Sequence, residues 1–263
     1  MVWDAPHPPA AIHGVLTMVP GVPPSASPAP RSTGLVGIVM LDTRFPRAPG
    51  DIGHPDTFDG RVIYRRVPGA RVGLVARPKP PDEATADALV DAARALEKEG
   101  ACVIGTSCGY LGALQARFQA AVSVPVVTSA LLLLPLLREA HGPRARIGVL
   151  TLDSRALAAS HFGAAWDPDV IIEGMELSRV FYPTIAEDRP SFDAAVASGE
   201  VALATQRLRT QAGGKLDAVV LECTNLGPFR QRVRSEAGAP VYDLAMALRW
   251  LITGPIMLRH ASA

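Results

Sequence analysis

The chain has 263 residues, 48% of them hydrophobic, a formal net charge of +1 and three cysteines. That length holds one large domain or two of about 130 residues each. The near-neutral balance, with no dense Lys/Arg face, excludes nucleic acid and an anionic membrane as obvious partners; three cysteines are odd in number and too few for a disulfide framework, so they read as reduced thiols of a cytoplasmic protein.

Residues 1–33 carry eight prolines and no Lys or Arg before Arg31. A Pro-rich extended arm is expected there rather than a signal peptide. Gly34–Leu41 is a short apolar run with β-branched residues, the pattern of a buried strand. Asp42–Gly60 holds three prolines and three glycines and reads as a long loop, a feature that is often functional. Arg61–Val67 follows as a second strand. Pro80-Pro81-Asp82-Glu83 opens a helix that closes at Lys98 and Gly100. Ala101–Thr106 is a strand, Ser107-Cys108-Gly109 a turn and Tyr110–Ala121 a helix. Val124–Thr128 is a strand, with Ser129 capping a helix to about His141. No apolar run spans a bilayer: the longest, Ala130–Leu137, contains Pro135.

The same order then repeats. Ala145–Leu152 is a strand, Ser154–Phe162 a helix, Val170–Met175 a strand, and Phe192–Ala212 a helix with a break expected near Gly199. Asp217–Glu222 is a strand, Cys223-Thr224-Asn225 a turn, and a helix leads on to Pro240. Val36–Arg44 and Ile147–Arg155 share Gly, Leu, Asp and Arg in register at an offset of 111, and Cys108 and Cys223 each precede a Pro-Val by the same 17 residues. A duplicated unit of this kind predicts an α/β fold of two pseudo-symmetric lobes, each a mostly parallel sheet flanked by helices. Ligands in such sheets sit beyond the carboxyl ends of the strands, so the active site is expected in the cleft between the lobes.

Cys108 and Cys223 both fall at such strand ends and before helices, where N–H groups and the macrodipole are expected to lower a thiol pKa. Two facing thiols share one charge, leaving one as base and the other as acid. That pair moves a proton between the faces of a carbon without a redox or carbonyl-sink cofactor. Cys102, on a buried strand, reads as a small hydrophobe. Asp42-Thr43 and Asp153-Ser154 end equivalent strands: the first pair is a candidate for binding, and the second serves equally well as a helix cap. Arg44 and Arg47 are candidate clamps for a distal carboxylate. Thr106, Ser107, Gly109, Ser129, Thr224 and Asn225 flank the thiols as candidates to hold the substrate carboxylate and stabilise an enediolate-like state. No His/Cys cluster has metal-ligand spacing. Gly105-Thr106-Ser107-Cys108-Gly109 also spells the G-x-S-x-G of a hydrolase elbow, with His161 or His260 as base, a reading that leaves Cys223 unexplained.

The chain resembles the aspartate/glutamate racemase superfamily, which includes hydantoin racemases, maleate isomerases and arylmalonate decarboxylases. The resemblance runs from about residue 34 to 252. Its carriers are Met40-Leu41-Asp42-Thr43, Val103-Ile104-Gly105-Thr106-Ser107-Cys108-Gly109, Ile147-Gly148-Val149-Leu150 and Val220-Leu221-Glu222-Cys223-Thr224-Asn225. It implies a first lobe of residues 34–128 plus 243–263, a second lobe of 129–242, homo-oligomers, and no cofactor or metal. It also implies inversion of a carbon next to a carboxylate, with an acidic amino acid such as aspartate or glutamate as the favoured substrate. Gly109-Tyr110 after the first thiol departs from the glutamate racemases. The alternatives it leaves open are a one-thiol decarboxylase-like or maleate-isomerase-like enzyme, a hydantoin racemase, and a silent binding homologue.

Overall fold

A computed structural model describes residues 34–253; the arm expected over 1–33, His260 and the end of the first-lobe segment lie outside them. The strands are β1 (Leu35–Met40), β2 (Val62–Arg66), β3 (Ala101–Thr106), β4 (Val126–Val127), β5 (Ile147–Thr151), β6 (Ile171–Gly174), β7 (Ala218–Leu221) and β8 (Val241–Asp243). They form two four-stranded sheets, ordered β2-β1-β3-β4 and β6-β5-β7-β8, and every pairing is parallel. The second sheet therefore repeats the strand order of the first, as the duplicated sequence predicts.

Alternation along the strands sorts the apolar side chains into two layers. Val39, Leu150 and Leu221 face the helices Glu83–Lys98 and Ala194–Gln211, whereas Val36, Ile38 and Val149 face Ala130–Leu134 and the last helix, Leu244–Thr253. The repeated glycine of β1 and β5 has a packing cause. A Cβ on Gly37 would lie 2.8 Å from Ala101 Cβ and 3.1 Å from Leu96, and one on Gly148 would lie 2.7 Å from Leu208. Each glycine lets its helix settle onto the strand. The last helix follows β8 of the second sheet yet packs Leu248 against Gly105 and Ile38 of the first. Among the described residues no helix is long and apolar enough to cross a membrane.

Three helical expectations differ. Residues 154–158 are not helical, and the helix is only Ala159–Phe162. The would-be caps are spent elsewhere: Asp153 accepts from the Arg155 guanidinium and the Tyr182 hydroxyl, and Ser154 donates to Glu176. The helix expected over Tyr110–Ala121 is a 3₁₀ stretch, Gly109–Leu114, followed by a short α segment, Gln115–Gln119. No break occurs at Gly199, where Ala194–Gln211 runs through as one helix under the Asp193 cap.

Candidate active site

Both thiols sit at the same structural position. Cys108 follows β3 and caps the 3₁₀ stretch Gly109–Leu114; Cys223 follows β7 and caps Thr224–Phe229. They line one small cavity between the sheets, together with Thr43, Ser107, Gly109, Thr224 and Asn225 from the expected set. Leu41, Phe45, Val72, Leu152 and Ile185 form its apolar wall, and Arg47, Tyr110 and Glu222 complete it.

Hydrogen bonds between the halves hold the two turns together. The Thr224 hydroxyl donates to the Ser107 carbonyl (2.8 Å), and Asn225 Nδ2 donates to Asp51 Oδ2 (2.7 Å). Ser107 Oγ accepts from the Leu41 N–H (2.9 Å), which ties the first thiol turn to the end of β1. The Tyr110 hydroxyl crosses to the second lobe, donating to the Asp153 carbonyl (2.8 Å) and accepting from the Asp153 N–H (3.1 Å).

The long loop after β1 supplies the cation. Arg47 donates to Asp51 Oδ1 (2.7 Å) and Thr43 Oγ1 (3.1 Å), and its guanidinium lies 4.6 Å from the centre of the Phe45 ring. Its side chain is only 11% exposed, whereas that of Arg44 is 81% exposed and pairs with Asp188. Of the two candidate clamps, Arg47 therefore lines the cavity and Arg44 lies exposed at its rim. Three other expectations are also displaced. Asp42 accepts from the Gly69 N–H and faces Arg66 at 3.8 Å outside the cavity. Thr106 is fully buried and donates to the carbonyls of Thr128 and Cys108. Ser129 caps its own helix by accepting from Leu131.

The thiols do not have lowered pKa values. Burial pushes Cys108 up to about 12 and the Glu222 carboxylate adds to this, against the opposing Tyr110 N–H and Arg47. Burial and Glu222 also push Cys223 well above the usual thiol value, against the opposing Asn225 N–H. The helices that follow begin as short 3₁₀ stretches, so the expected dipole is weak beside desolvation. Glu222 lies within the second thiol motif but has no role expected from the sequence. It is fully buried and accepts from the Thr151 hydroxyl at Oε2 (2.6 Å); burial lifts its carboxyl to about 7, despite the hydrogen bonds from Thr151 and the Leu152 N–H. An acid ending the apolar strand β7, with no Lys or Arg beside it, was the available signal. For the elbow reading, His161 is held at Ala158 and packs behind the lining residue Tyr110 without lining the cavity itself, and His260 lies outside the described residues.

Two like-ordered parallel sheets, each ending in a thiol turn on a shared cavity, define a two-lobed α/β protein of the racemase type. Residues 75–252 match the Asp/Glu/Hydantoin racemase model, and the chain belongs to that enzyme family. It is 32% identical over 246 residues to the dimethylsulfoniopropionate lyase of Durusdinium sp. clade D, covering 88% of this chain and 78% of that one. It is 30% identical over 217 residues to dimethylsulfoniopropionate lyase 3 of Emiliania huxleyi, covering 79% of this chain but only 56% of that longer protein. Among solved structures, unliganded arylmalonate decarboxylase superposes with a TM-score of 0.54 at 19% identity, covering 85% of this chain and 94% of that one. Allantoin racemase from Pseudomonas fluorescens gives 0.52 at 13%, covering 83% and 89%. These likenesses share the fold.

Proposed function

We propose that this chain is a cofactor-independent lyase that removes the proton α to a carboxylate and expels a β-leaving group, with dimethylsulfoniopropionate as substrate. One observation carries the reading against an acidic amino acid: the cavity lining holds one cation, Arg47, and one buried acid, Glu222. Aspartate or glutamate would bring two carboxylates to a single guanidinium already shared with Asp51. A substrate with one carboxylate and one fixed positive charge matches that inventory, and its dimethyl head suits the apolar wall. The named relatives act on such a molecule.

In this reading Arg47, Thr43 and Ser107 orient the carboxylate. Cys108, as thiolate, takes the α-proton. The released electron pair forms the C=C bond of acrylate as the C–S bond breaks, and dimethyl sulfide leaves as a neutral molecule. Cys223, as thiol, faces the developing enediolate-like charge. Incubating the purified chain with dimethylsulfoniopropionate and measuring headspace dimethyl sulfide together with acrylate tests it. Equal amounts of both products are expected.

A second reading, two-base racemisation, is favoured by the convergence of both thiols on one cavity. It is the better account if no dimethyl sulfide is released while a carboxylate substrate in heavy water gains α-deuterium and loses optical rotation.

A further inference from the structure

Glu222 has an unfilled side. Its Oε2 accepts from Thr151, but Oε1 is buried with no hydrogen-bond partner among the described residues. No guanidinium or ammonium is paired with it, and the nearest cation of the cavity, Arg47, is engaged by Asp51 and Thr43. Gly109 lies against the same oxygen: a Cβ there would collide with Glu222 Oε1 and with the Glu222 carbonyl, so the first thiol turn is kept bare beside the carboxyl. A buried carboxyl with an idle oxygen is costly unless something supplies the missing charge or proton.

We propose that Glu222 is the subsite for the positively charged head of the substrate, and that it selects a fully alkylated onium group over a primary ammonium. The inference rests on the lyase reading and names what recognises its substrate. Selection follows from donor counting. An ammonium brings three N–H donors, all needing acceptors, but this end of the cavity offers one free carboxyl oxygen. The Tyr110 hydroxyl is already committed to Asp153 and Thr151, and the other lining groups beside Glu222 are Leu152 and the two thiols, which are weak acceptors. A sulfonium or quaternary ammonium has no donors to leave unsatisfied. Its methyl groups pack on the apolar wall of the cavity, and its charge meets Glu222.

The test uses three unreactive carboxylates and the full chain in calorimetric titration: 3-(trimethylammonio)propanoate, its neutral carbon isostere 4,4-dimethylpentanoate, and β-alanine. The quaternary compound is expected to bind about tenfold or more tighter than either of the others, as for a desolvated charge contact. In Glu222→Gln, which keeps an oxygen for Thr151, its advantage over the isostere should fall to about twofold or less, while the isostere itself binds nearly as before. Circular dichroism establishes that the variant is folded. Equal binding of betaine and isostere, preference for β-alanine, no binding of the betaine, or an advantage that survives Glu222→Gln would each overturn the proposal. Binding requires no turnover, so a chain that releases no dimethyl sulfide yet shows this selectivity refutes the lyase reading alone. A working lyase without the selectivity refutes this inference alone.

Discussion

Asn225 gives the two thiols different work. Its Nδ2 is claimed by Asp51, so Oδ1 is turned toward Cys223 Sγ at 3.7 Å and accepts its proton. That contact favours Cys223 as the acid; each thiol receives a backbone N–H, from Tyr110 or Asn225, and Arg47 in addition favours the Cys108 thiolate. In the proposed lyase reaction Cys108 is accordingly assigned as the base. Serine can donate but is no base near neutrality, so Cys108→Ser should lose at least about 10³-fold in turnover, while Cys223→Ser should retain far more activity than Cys223→Ala. Initial rates of dimethyl sulfide release measure both, and equal losses for the two serine variants would contradict the assignment. Glu222 has a separate signature in stability. Its carboxyl is raised from 4.5 to about 7, so the folded chain holds a proton that the unfolded chain has released. The contribution is full below about pH 4.5 and is lost as pH rises through about 7. Glu222→Gln should therefore gain on the parent by up to about 3 kcal/mol between pH 5 and pH 8 in urea unfolding. The cysteines were legible because the repeat marked them twice. Glu222 stands beside the second thiol but has no counterpart in the first copy, where the equivalent position is Ser107. Arg47 and Arg44 lie in a Pro-rich loop without periodicity, which gave no face on which to choose between them.

At the scale of elements, the thiol turns are short because each must bring a backbone close to the other lobe. Gly109 shows how close: Glu222 fills the place a side chain would take. Gly109→Ala must push Cys108 or Glu222 aside. It should cost about 1–3 kcal/mol in chemical denaturation and lower turnover more than it lowers stability, because the displaced groups are the reacting ones. Strands were legible almost throughout, since in a parallel sheet covered on both faces they read as plain apolar runs. The turn helices were not. Periodicity cannot separate a 3₁₀ stretch from an α-helix over six residues, and Asp153-Ser154 looks like a cap until Arg155, Glu176 and Tyr182 claim it.

On the scale of the molecule, the cavity is closed by parts from both halves, and one carboxylate latches them. Asp188 follows the helix Phe181–Ala186 of the second lobe and takes a left-handed conformation (φ 57°). Its Oδ1 accepts the backbone N–H groups of Arg44 (2.5 Å) and Phe45 (3.0 Å), and Oδ2 meets the Arg44 guanidinium at 3.3 Å. Phe45 and Ile185, on either side of this latch, are both cavity wall. Burial raises the Asp188 pKa, but the N–H groups of Arg44 and Phe45 and the Arg44 side chain outweigh it, so the net shift is downward. A lowered carboxyl contributes above its unfolded value near 3.9 and is lost only as pH falls through the folded value, so the latch holds across the neutral range. Asp188→Ala should free the loop that carries Phe45 and Arg47. Hydrogen exchange should accelerate across residues 42–60 while β1 and β3 stay protected. KM should rise about tenfold with a smaller change in kcat, because the loop positions the carboxylate clamp and leaves the base untouched. Asp188→Asn keeps one oxygen for the two N–H groups and should fall between. An unchanged exchange pattern in Asp188→Ala would mean that the loop is held by its other contacts, Arg47 and Asn225 on Asp51 among them, and that closure does not depend on Asp188.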